Sequence, residues 1–444
     1  MRTFSHTLDR VEVSFDDERL VGDAGLIAPA TLAQHLGLRE LFDAHVDLGD
    51  APGRANVGHK AMTVIHAVLA DADSIDDTNV LRAGTTGAVL GHGVLAPSTI
   101  GTFLRSFTWG HARQVDRVAG EVLARAWAAG AGPGAAPVTI DVDSSICETY
   151  GVAKQGARFG YSGVRGYHPL FATVAATSDV IHTRLRAGNS HTARGAASFL
   201  AEAFARARAG GASGPLSMRA DSGFYSKIVV DACKRAGVSY SVTVKLSKSL
   251  HGVISKIPDA DWTPIPYFLD DGADVATCDY QAFSGKKKIT TRLVVRRTKP
   301  TPGSQLALLV DYSYHGFITN RSGDTVFLDA DHRRHAVVEN AIRDLKYGVG
   351  LNHLPSGRFG ANAAWLGLNV IAHNMANWTA RLGGLDTTDA ATPNDTAVAD
   401  DDSAVATSVE STGEKQPSRR SFIATDTLRR HHLRMPGRIA TSAR

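Results

Sequence analysis

The residues Val138-Thr139-Ile140-Asp141-Val142-Asp143-Ser144-Ser145 alternate apolar and polar with a period of two. They follow directly on Ala129-Gly130-Ala131-Gly132-Pro133-Gly134-Ala135-Ala136-Pro137, whose closely spaced glycines and prolines no helix can cross. Successive side chains of a strand point to opposite faces, so Val138, Ile140 and Val142 share one side while Thr139, Asp141 and Asp143 share the other. A half-buried strand therefore starts a new segment and delivers two carboxylates to one face. The break before it is the clearest boundary in the chain: a linker over 130–137, with a helical region over 1–129 ahead of it.

Beyond this strand, Gly166 to Val174 and Val180 to Leu185 read as two more strands, and Ser190-His191-Thr192 opens a helix reaching about Arg208. Leu216-Ser217-Met218-Arg219-Ala220 alternates again and ends at Asp221, in the turn Asp221-Ser222-Gly223. A helix over 225–235 and a strand over 238–245 complete the order βββαβαβ. This is an α/β arrangement laid out as a ribonuclease H-like core, with one acid on its first strand and another closing its fourth. Each acid alone has an ordinary alternative, Asp143 in turning the chain and Asp221 in capping the next helix.

A third carboxylate lies far downstream. In the run from His332 to Lys346, Val338, Ala341, Ile342 and Leu345 recur at helical spacing and form a core stripe, while His335, Glu339, Arg343 and Lys346 take another face. On its own this is as compatible with a solvated face carrying Glu-to-Arg pairs as with a site. Three carboxylates from two strands and a helix make a stronger chemical case. Phosphodiester cleavage needs a hydroxyl deprotonated and a leaving oxyanion neutralised, and two Mg²⁺ ions about 4 Å apart do both. Mg²⁺ takes few carboxylates and keeps waters and phosphate oxygens, so three acids suffice.

Between Asp221 and Glu339 lies more chain than such a core needs. Residues 246–325 read as a β-rich insertion, with strands at 275–283, 289–296, 305–310 and 312–319, and they carry Lys286, Lys287, Lys288, Arg292, Arg296 and Arg297 in position to clamp DNA phosphates. The core resumes over 326–383, where residues 361–382 form a strongly apolar helix. Residues 384–413 are acidic, poor in large apolar side chains, and suited to a disordered linker. The basic stretch over 414–444, with Lys415, Arg419, Arg420, Arg429, Arg430, Arg434, Arg438 and Arg444, suits non-specific phosphate contact.

In the N-terminal region, helices are expected at 61–69, 98–107 and 111–129, with Arg105, His111, Arg113 and Arg117 available to a DNA backbone. With 444 residues, 43% of them hydrophobic, the chain can bury a sizeable core, and its net charge of +4 is compatible with a polyanionic partner without demanding one. The three cysteines, Cys147, Cys233 and Cys278, are too far apart for a metal-ligand motif and are expected to be reduced thiols of a cytoplasmic protein. No apolar run reaches the roughly 20 residues of a membrane span.

These motifs resemble those of the DDE transposases of bacterial insertion sequences, specifically the thirteen-eighty family. The resemblance rests on Asp143-Ser144-Ser145, Gly166-Tyr167-His168-Pro169-Leu170, Arg219-Ala220-Asp221-Ser222-Gly223-Phe224-Tyr225-Ser226, Tyr314-His315-Gly316-Phe317-Ile318-Thr319-Asn320-Arg321, and Val338-Glu339-Asn340 with Lys346. It implies a ribonuclease H-like core interrupted by a β insertion, a helical N-terminal DNA-binding region, and metal-dependent cut-and-paste transposition. The partners would be double-stranded DNA, both terminal inverted repeats and target, with a homodimer in the synaptic complex and a nucleoid-associated location. Asp143, Asp221 and Glu339 would hold two Mg²⁺ ions, with Mn²⁺ able to substitute, and Asp141 competes with Asp143 for the first position. Lys346, Arg343, Arg333, Arg334, Lys287, Arg292 and Arg296 would contact DNA.

The resemblance is imperfect where the family has a tyrosine and an arginine, because here those positions are His332 and His335. Zinc ligation by these two histidines is a rival without a third ligand at suitable spacing. A chain that kept the fold as an inactive DNA-binding protein is the alternative function, and a nuclease without strand transfer is another. The chain also stops soon after Pro436-Gly437-Arg438, where relatives commonly continue.

Overall fold

The computed structural model describes residues 16–160, 162–266, 272–300, 312–385 and 423–440. A short strand β1 (Leu20–Val21) precedes seven helices: α1 (Ile27–His35), α2 (Leu38–His45), α3 (Val57–Leu69), α4 (Thr78–Arg82), α5 (Thr86–Leu90), α6 (Pro97–Arg105) and α7 (Trp109–Ala126). The helix α7 starts at a capping box in which Thr108 Oγ1 accepts from His111 N and His111 Nδ1 from Thr108 N. It runs into a π turn where Gly130 takes φ 106°, a conformation that favours glycine and ends the helix at the expected break.

The strands that follow are β2 (Val138–Ser144), three short ones, β3 (Cys147–Glu148), β4 (Arg158–Phe159) and β5 (Arg165–Tyr167), then β6 (Leu170–Val174) and β7 (Val180–Arg184). Next come α8 (Ala196–Ala209), β8 (Leu216–Ala220), α9 (Lys227–Arg235) and β9 (Ser239–Val244). The chain continues through α10 (Lys248–Ile254), β10 (Thr263–Ile265), β11 (Ala273–Ala282), β12 (Ile289–Thr298) and β13 (Ser313–Thr319). It closes with α11 (Thr325–Arg333), α12 (Val338–Arg343), α13 (Phe359–Leu382), α14 (Thr425–Leu428) and β14 (Gly437–Arg438).

One mixed sheet organises the molecule, in the order β10-β11-β12-β13-β9-β8-β2-β6-β7. Strands β2, β8 and β9 are mutually parallel, while β6 and β7 run antiparallel on the other side of β2. The residues expected to form a β-rich insertion do form strands, but β13 pairs antiparallel with β9, so they extend the core's sheet instead of standing apart from it. The strand expected at 305–310 and the acidic linker, beyond its first two residues, lie outside the described residues.

Helix α13 is buried along nearly its whole length, Trp365, Leu368, Ile371, Met375 and Trp378 included. A helix apolar on all sides belongs in an interior, and this one packs against α1, α3, α6, α7 and the edge strand β7. Some of its polar side chains satisfy neighbouring backbone groups. Asn374 Oδ1 accepts from Val180 N at 2.8 Å and its Nδ2 donates to Val180 O at 2.9 Å, so one amide satisfies both backbone groups on the open side of β7. Nearby, the buried Asp179 accepts from Trp127 Nε1 at 2.8 Å and pairs with Arg381 at 3.0 Å.

Of the basic stretch expected over 414–444, Lys415, Arg419, Arg420 and Arg444 lie outside the described residues, and the described arginines meet carboxylates of the fold. Arg429 is 1% exposed, Arg430 pairs with Asp426, Arg434 with Asp71 and Arg438 with Asp17, and β14 pairs with β1. Composition alone cannot tell a solvated arginine from one whose charge is met inside the fold. No helix among the described residues is long and apolar enough to cross a membrane.

Replacing Asn374 with Leu keeps the volume and strands two buried backbone groups. At about 1–3 kcal/mol for each unsatisfied group, the expected loss is about 2–6 kcal/mol in urea unfolding, whereas a loss below about 0.5 kcal/mol would mean that β7 finds other partners.

Candidate active site

Parallel pairing sets the first two carboxylates side by side. Val142 of β2 is in register with Ala220 of β8, so the next residues, Asp143 and Asp221, leave adjacent strand ends together, and neighbouring strands lie about 4.8 Å apart. Asp143 is partly buried and Asp221 is exposed at the turn, where its Oδ1 accepts from Gly223 N at 3.0 Å. That turn is tight against Thr192, whose Cγ2 would lie 3.0 Å from a Cβ at Gly223. Asp221 thus caps the turn as expected of its residue type and still faces the strand ends.

The third carboxylate comes from above the sheet. The expected single helix from His332 to Lys346 is broken into α11, a 3₁₀ turn (Arg334–Val337), α12 and a π turn (Asp344–Gly348). Val338, Ala341, Ile342 and Leu345 are buried as the periodicity requires, and Glu339 is exposed. Burial pushes the Asp143 carboxyl up to about 6, and the charges of Asp221 and Glu339 push it the same way, against the Ser144 N–H and the positive charge of His335. Both acids are therefore close enough to act on Asp143 directly. Among the described residues, none of the three carboxylates has an ion-pair partner.

Asp141, on the same strand face, is in a different position. It is 1% exposed and directly across from Arg219 in the β2–β8 register. Arg219 Nε and Nη2 each donate to one carboxylate oxygen at 2.8 Å, and His335 Nδ1 lies 2.9 Å from Oδ1. Both oxygens are taken. Burial alone would lower the His335 imidazole, but the hydrogen bond to Asp141 and the charges of Asp141 and Asp143 raise it. Arg219 also donates to the backbone oxygens of Asp331 and Arg334, tying the segment before Glu339 to the sheet.

His332 is 4% exposed, stacked on Phe317, with Nδ1 2.6 Å from Ser241 Oγ and Nε2 2.9 Å from Thr243 Oγ1. With both nitrogens held by hydroxyls it has no atom to offer zinc, and it packs α11 onto β9 and β13.

The expected DNA-contacting cations divide into two groups. Arg292 is consumed by Thr277, Gly323 and Thr325, Arg296 pairs with Asp329 at 3.3 Å, and Arg333 pairs with the same carboxylate at 3.0 Å. Arg334, Arg343 and Lys286 to Lys288 are exposed, and Lys346 is partly so. Burial pushes the Cys147 thiol up to about 12 and the charge of Lys346 acts the other way, which puts this lysine near the chain just beyond Asp143. In the N-terminal region, Arg113 pairs with Asp116 and Glu202 and Arg117 with Glu121.

Sequence reasoning passed over one cluster. Asp116 of α7, His182 of β7 and Glu202 of α8 bring three possible ligand atoms within 4.8 Å of one another, the one such group among the described residues. Its charge is already met, by Arg206 on Asp116 at 2.6 Å and by Arg113 and Arg184 on Glu202 at 2.8 Å each. It is an ion-pair network joining two helices to the edge strand. No spacing in the sequence announces it. The Asp143, Asp221 and Glu339 oxygens are more widely spread, as two ions about 4 Å apart allow, and their negative charge, which His335 offsets only in part, fits divalent metal.

The family model Transposase DDE domain group 1 matches residues 5–394. No curated protein matches the chain. Among solved structures, the cryo-EM structure of the piggyBac transposase synaptic complex with hairpin DNA aligns over 82% of this chain and 76% of that one, with a TM-score of 0.45 and 10% identity.

The clustered carboxylates set a sign. In the metal-free protein Asp143 holds its proton up to about pH 6, so the stability that protonation provides is present at low pH and lost as pH rises through about 6. Glu339→Gln removes one repelling charge. The expected outcome is a lower Asp143 pKa by ¹³C NMR titration and a smaller loss of stability across that window; an unmoved pKa would place Glu339 too far away to share a site.

Proposed function

The chain belongs to the Transposase DDE domain group 1 family, and from that premise we propose that it is a metal-dependent DNA transposase that excises and inserts an insertion sequence by a cut-and-paste reaction. One observation carries the reading: two carboxylates at adjacent parallel strand ends and a third on a short helix share one field, which the positive charge of His335 offsets only in part. Such an arrangement is unfavourable for a fold unless something of positive charge binds there.

Asp143, Asp221 and Glu339 would hold the divalent ions, Mg²⁺ or Mn²⁺. Asp141 is left out because Arg219 and His335 occupy it. When bound, two such ions supply activation of the attacking hydroxyl and neutralisation of the leaving oxygen. The chain's own groups do the rest. Asp143 must shed its proton to serve as a ligand, and the neighbouring His335, kept protonated by Asp141, favours that ionised form. Arg343, at the end of the Glu339 helix, and Lys346, on the π turn after it, would hold DNA phosphates, and Arg334, Lys286, Lys287 and Lys288 are further exposed cations. Double-stranded DNA, as terminal inverted repeats and as target, is the substrate, with two copies of the chain pairing two ends. The core is a ribonuclease H-like domain, whose strand order 3-2-1-4-5 corresponds to β7-β6-β2-β8-β9.

Cleavage of duplexes bearing the DNA ends that flank its gene, with Mg²⁺, tests the assignment. Asp221→Asn and Glu339→Gln are each expected to lower the rate by about 10³-fold or more, as removal of one member of a cooperating set does, and normal cutting by Asp221→Asn excludes the mechanism. Scission without joined products would indicate a nuclease, and metal-independent binding with no scission a DNA-binding protein. Lys346→Ala is expected to weaken DNA binding across sequences and reduce the salt slope by about 1; an unchanged slope removes Lys346 from the phosphate contacts.

A further inference from the structure

Glu339 sits on a helix of six residues, flanked by a 3₁₀ turn and a π turn. Isolated helices shorter than about 12 residues do not hold themselves in water, so the position of this carboxylate depends on what grips the segment. On the upstream side Arg219 does so through the Asp331 and Arg334 carbonyls. The downstream grip is Asp344. It lies five residues after Glu339, about 140° further round at helical spacing, and it points inward, 5% exposed, where Glu339 points to solvent.

Both Asp344 oxygens are held, and two of the three donors come from the far end of the chain. Thr425 N donates to Oδ1 at 2.7 Å, Thr425 Oγ1 donates to Oδ2 at 2.7 Å, and His373 Nδ1 of α13 lies 2.7 Å from Oδ2. Burial opposes charge on each partner, yet the His373 hydrogen bond lowers Asp344 and the Asp344 hydrogen bond raises His373. The fit leaves no slack. A Cβ at Gly348 would lie 2.4 Å from Asp344 Oδ1 and 3.2 Å from Thr425 Cβ.

The segment that brings Thr425 is itself fastened along its length. Arg429 donates to the carbonyls of Leu69 at 3.0 Å, Val68 at 3.2 Å and Gly348 at 2.5 Å, and pairs with Asp71 at 3.0 Å. One guanidinium thereby joins the end of α3 to the π turn that follows Glu339. Leu428 and Leu433 are buried, Met435 O accepts from Ala24 N at 2.8 Å, and β14 pairs with β1.

We propose that residues 423–438 form a strap that sets the position of the Glu339 helix, with Thr425 and Asp344 as positioning residues for the metal-binding carboxylate. The inference rests on the transposase reading above. The strap clamps the helix from inside, against the N-terminal helices, while its opposite face is left open to metal and DNA. It also makes the geometry of the site depend on a segment that contributes no ligand.

The test uses the full chain. Thr425→Val removes the hydroxyl donor and keeps the shape and the backbone donor, and Thr425→Ser restores the hydroxyl. Mn²⁺ binding to the DNA-free protein, followed by loss of the free-ion EPR signal, is read beside hydrogen exchange of the 338–348 amides. Thr425→Val is expected to bind Mn²⁺ about five- to tenfold more weakly and to exchange faster by a similar factor across 338–348, the scale of one lost hydrogen bond. Exchange in β2 and β8 stays as in the wild type, and Thr425→Ser recovers both readouts. Unchanged binding and exchange in Thr425→Val overturn the strap and leave the transposase reading standing. Wild-type Mn²⁺ binding that is indifferent to Asp221→Asn overturns that reading first, and the strap's role with it. If Thr425→Val does not fold, Asp71→Asn loosens the Arg429 anchor at a half-exposed carboxylate, with the same expected directions; no change in either readout again overturns the proposal.

Discussion

The buried pair between Asp141 and Arg219 is the contact on which the rest of the site depends. It joins two parallel strands at matched positions, and Arg219 reaches past it to two backbone carbonyls of the segment that carries Glu339. Burying both charges is costly, and such a pair adds little net stability, but removing one partner strands the other at a cost of about 3–5 kcal/mol. Its contribution is therefore placement. The pair fixes the height of the 3₁₀ turn above the sheet, and His335, hydrogen-bonded to the same carboxylate, fixes its rotation. One helical turn later the chain presents Glu339.

Two clusters of acids in this molecule show how charge balance separates structure from chemistry. Asp116 and Glu202 are geometrically the tighter group, yet three arginines surround them, and His182, 3.2 Å away, together with Arg113 and Arg184, holds Glu202 well below the usual carboxylate range. Nothing is left for a ligand to neutralise. Asp143 is pushed the other way, by burial and by its acidic neighbours. Proximity of ligand atoms alone favours the first group, whereas the raised Asp143 carboxyl marks the second as the one whose charge is less fully met.

Much of this was legible in the sequence, and the parts that were not share a cause. The period-two run at Val138 put Asp143 on a strand, and the stripe of Val338, Ala341, Ile342 and Leu345 left Glu339 on the open side, both from spacing that local geometry dictates. The same alternation could not separate Asp141 from Asp143, because the difference between them is Arg219, which sits 78 residues further along the chain and is opposed to Asp141 only through strand register. The partners of His332, Arg292 and Arg296 were hidden for the same reason: the hydroxyls and carboxylates that meet them belong to distant elements. The arginines near the C-terminus read as free charge because composition carries no record of Asp71, Asp17 or the carbonyls of α3.

The position of the site follows from the topology more than from any single residue. Strand β2 is where the sheet changes character, parallel to β8 on one side and antiparallel to β6 on the other. Chains leaving the carboxyl ends of parallel strands at such a point diverge and open a crevice, and it is there that α/β sheets bind ligands. Asp143 and Asp221 end the two strands on the parallel side of that point, so their adjacency is a consequence of connectivity. A third acid could reach them only from an element laid across that end of the sheet, and a helix that short would not stay there unaided. The molecule meets this with two ties on either side of Glu339, one to the sheet through Arg219 and one to the interior through Asp344.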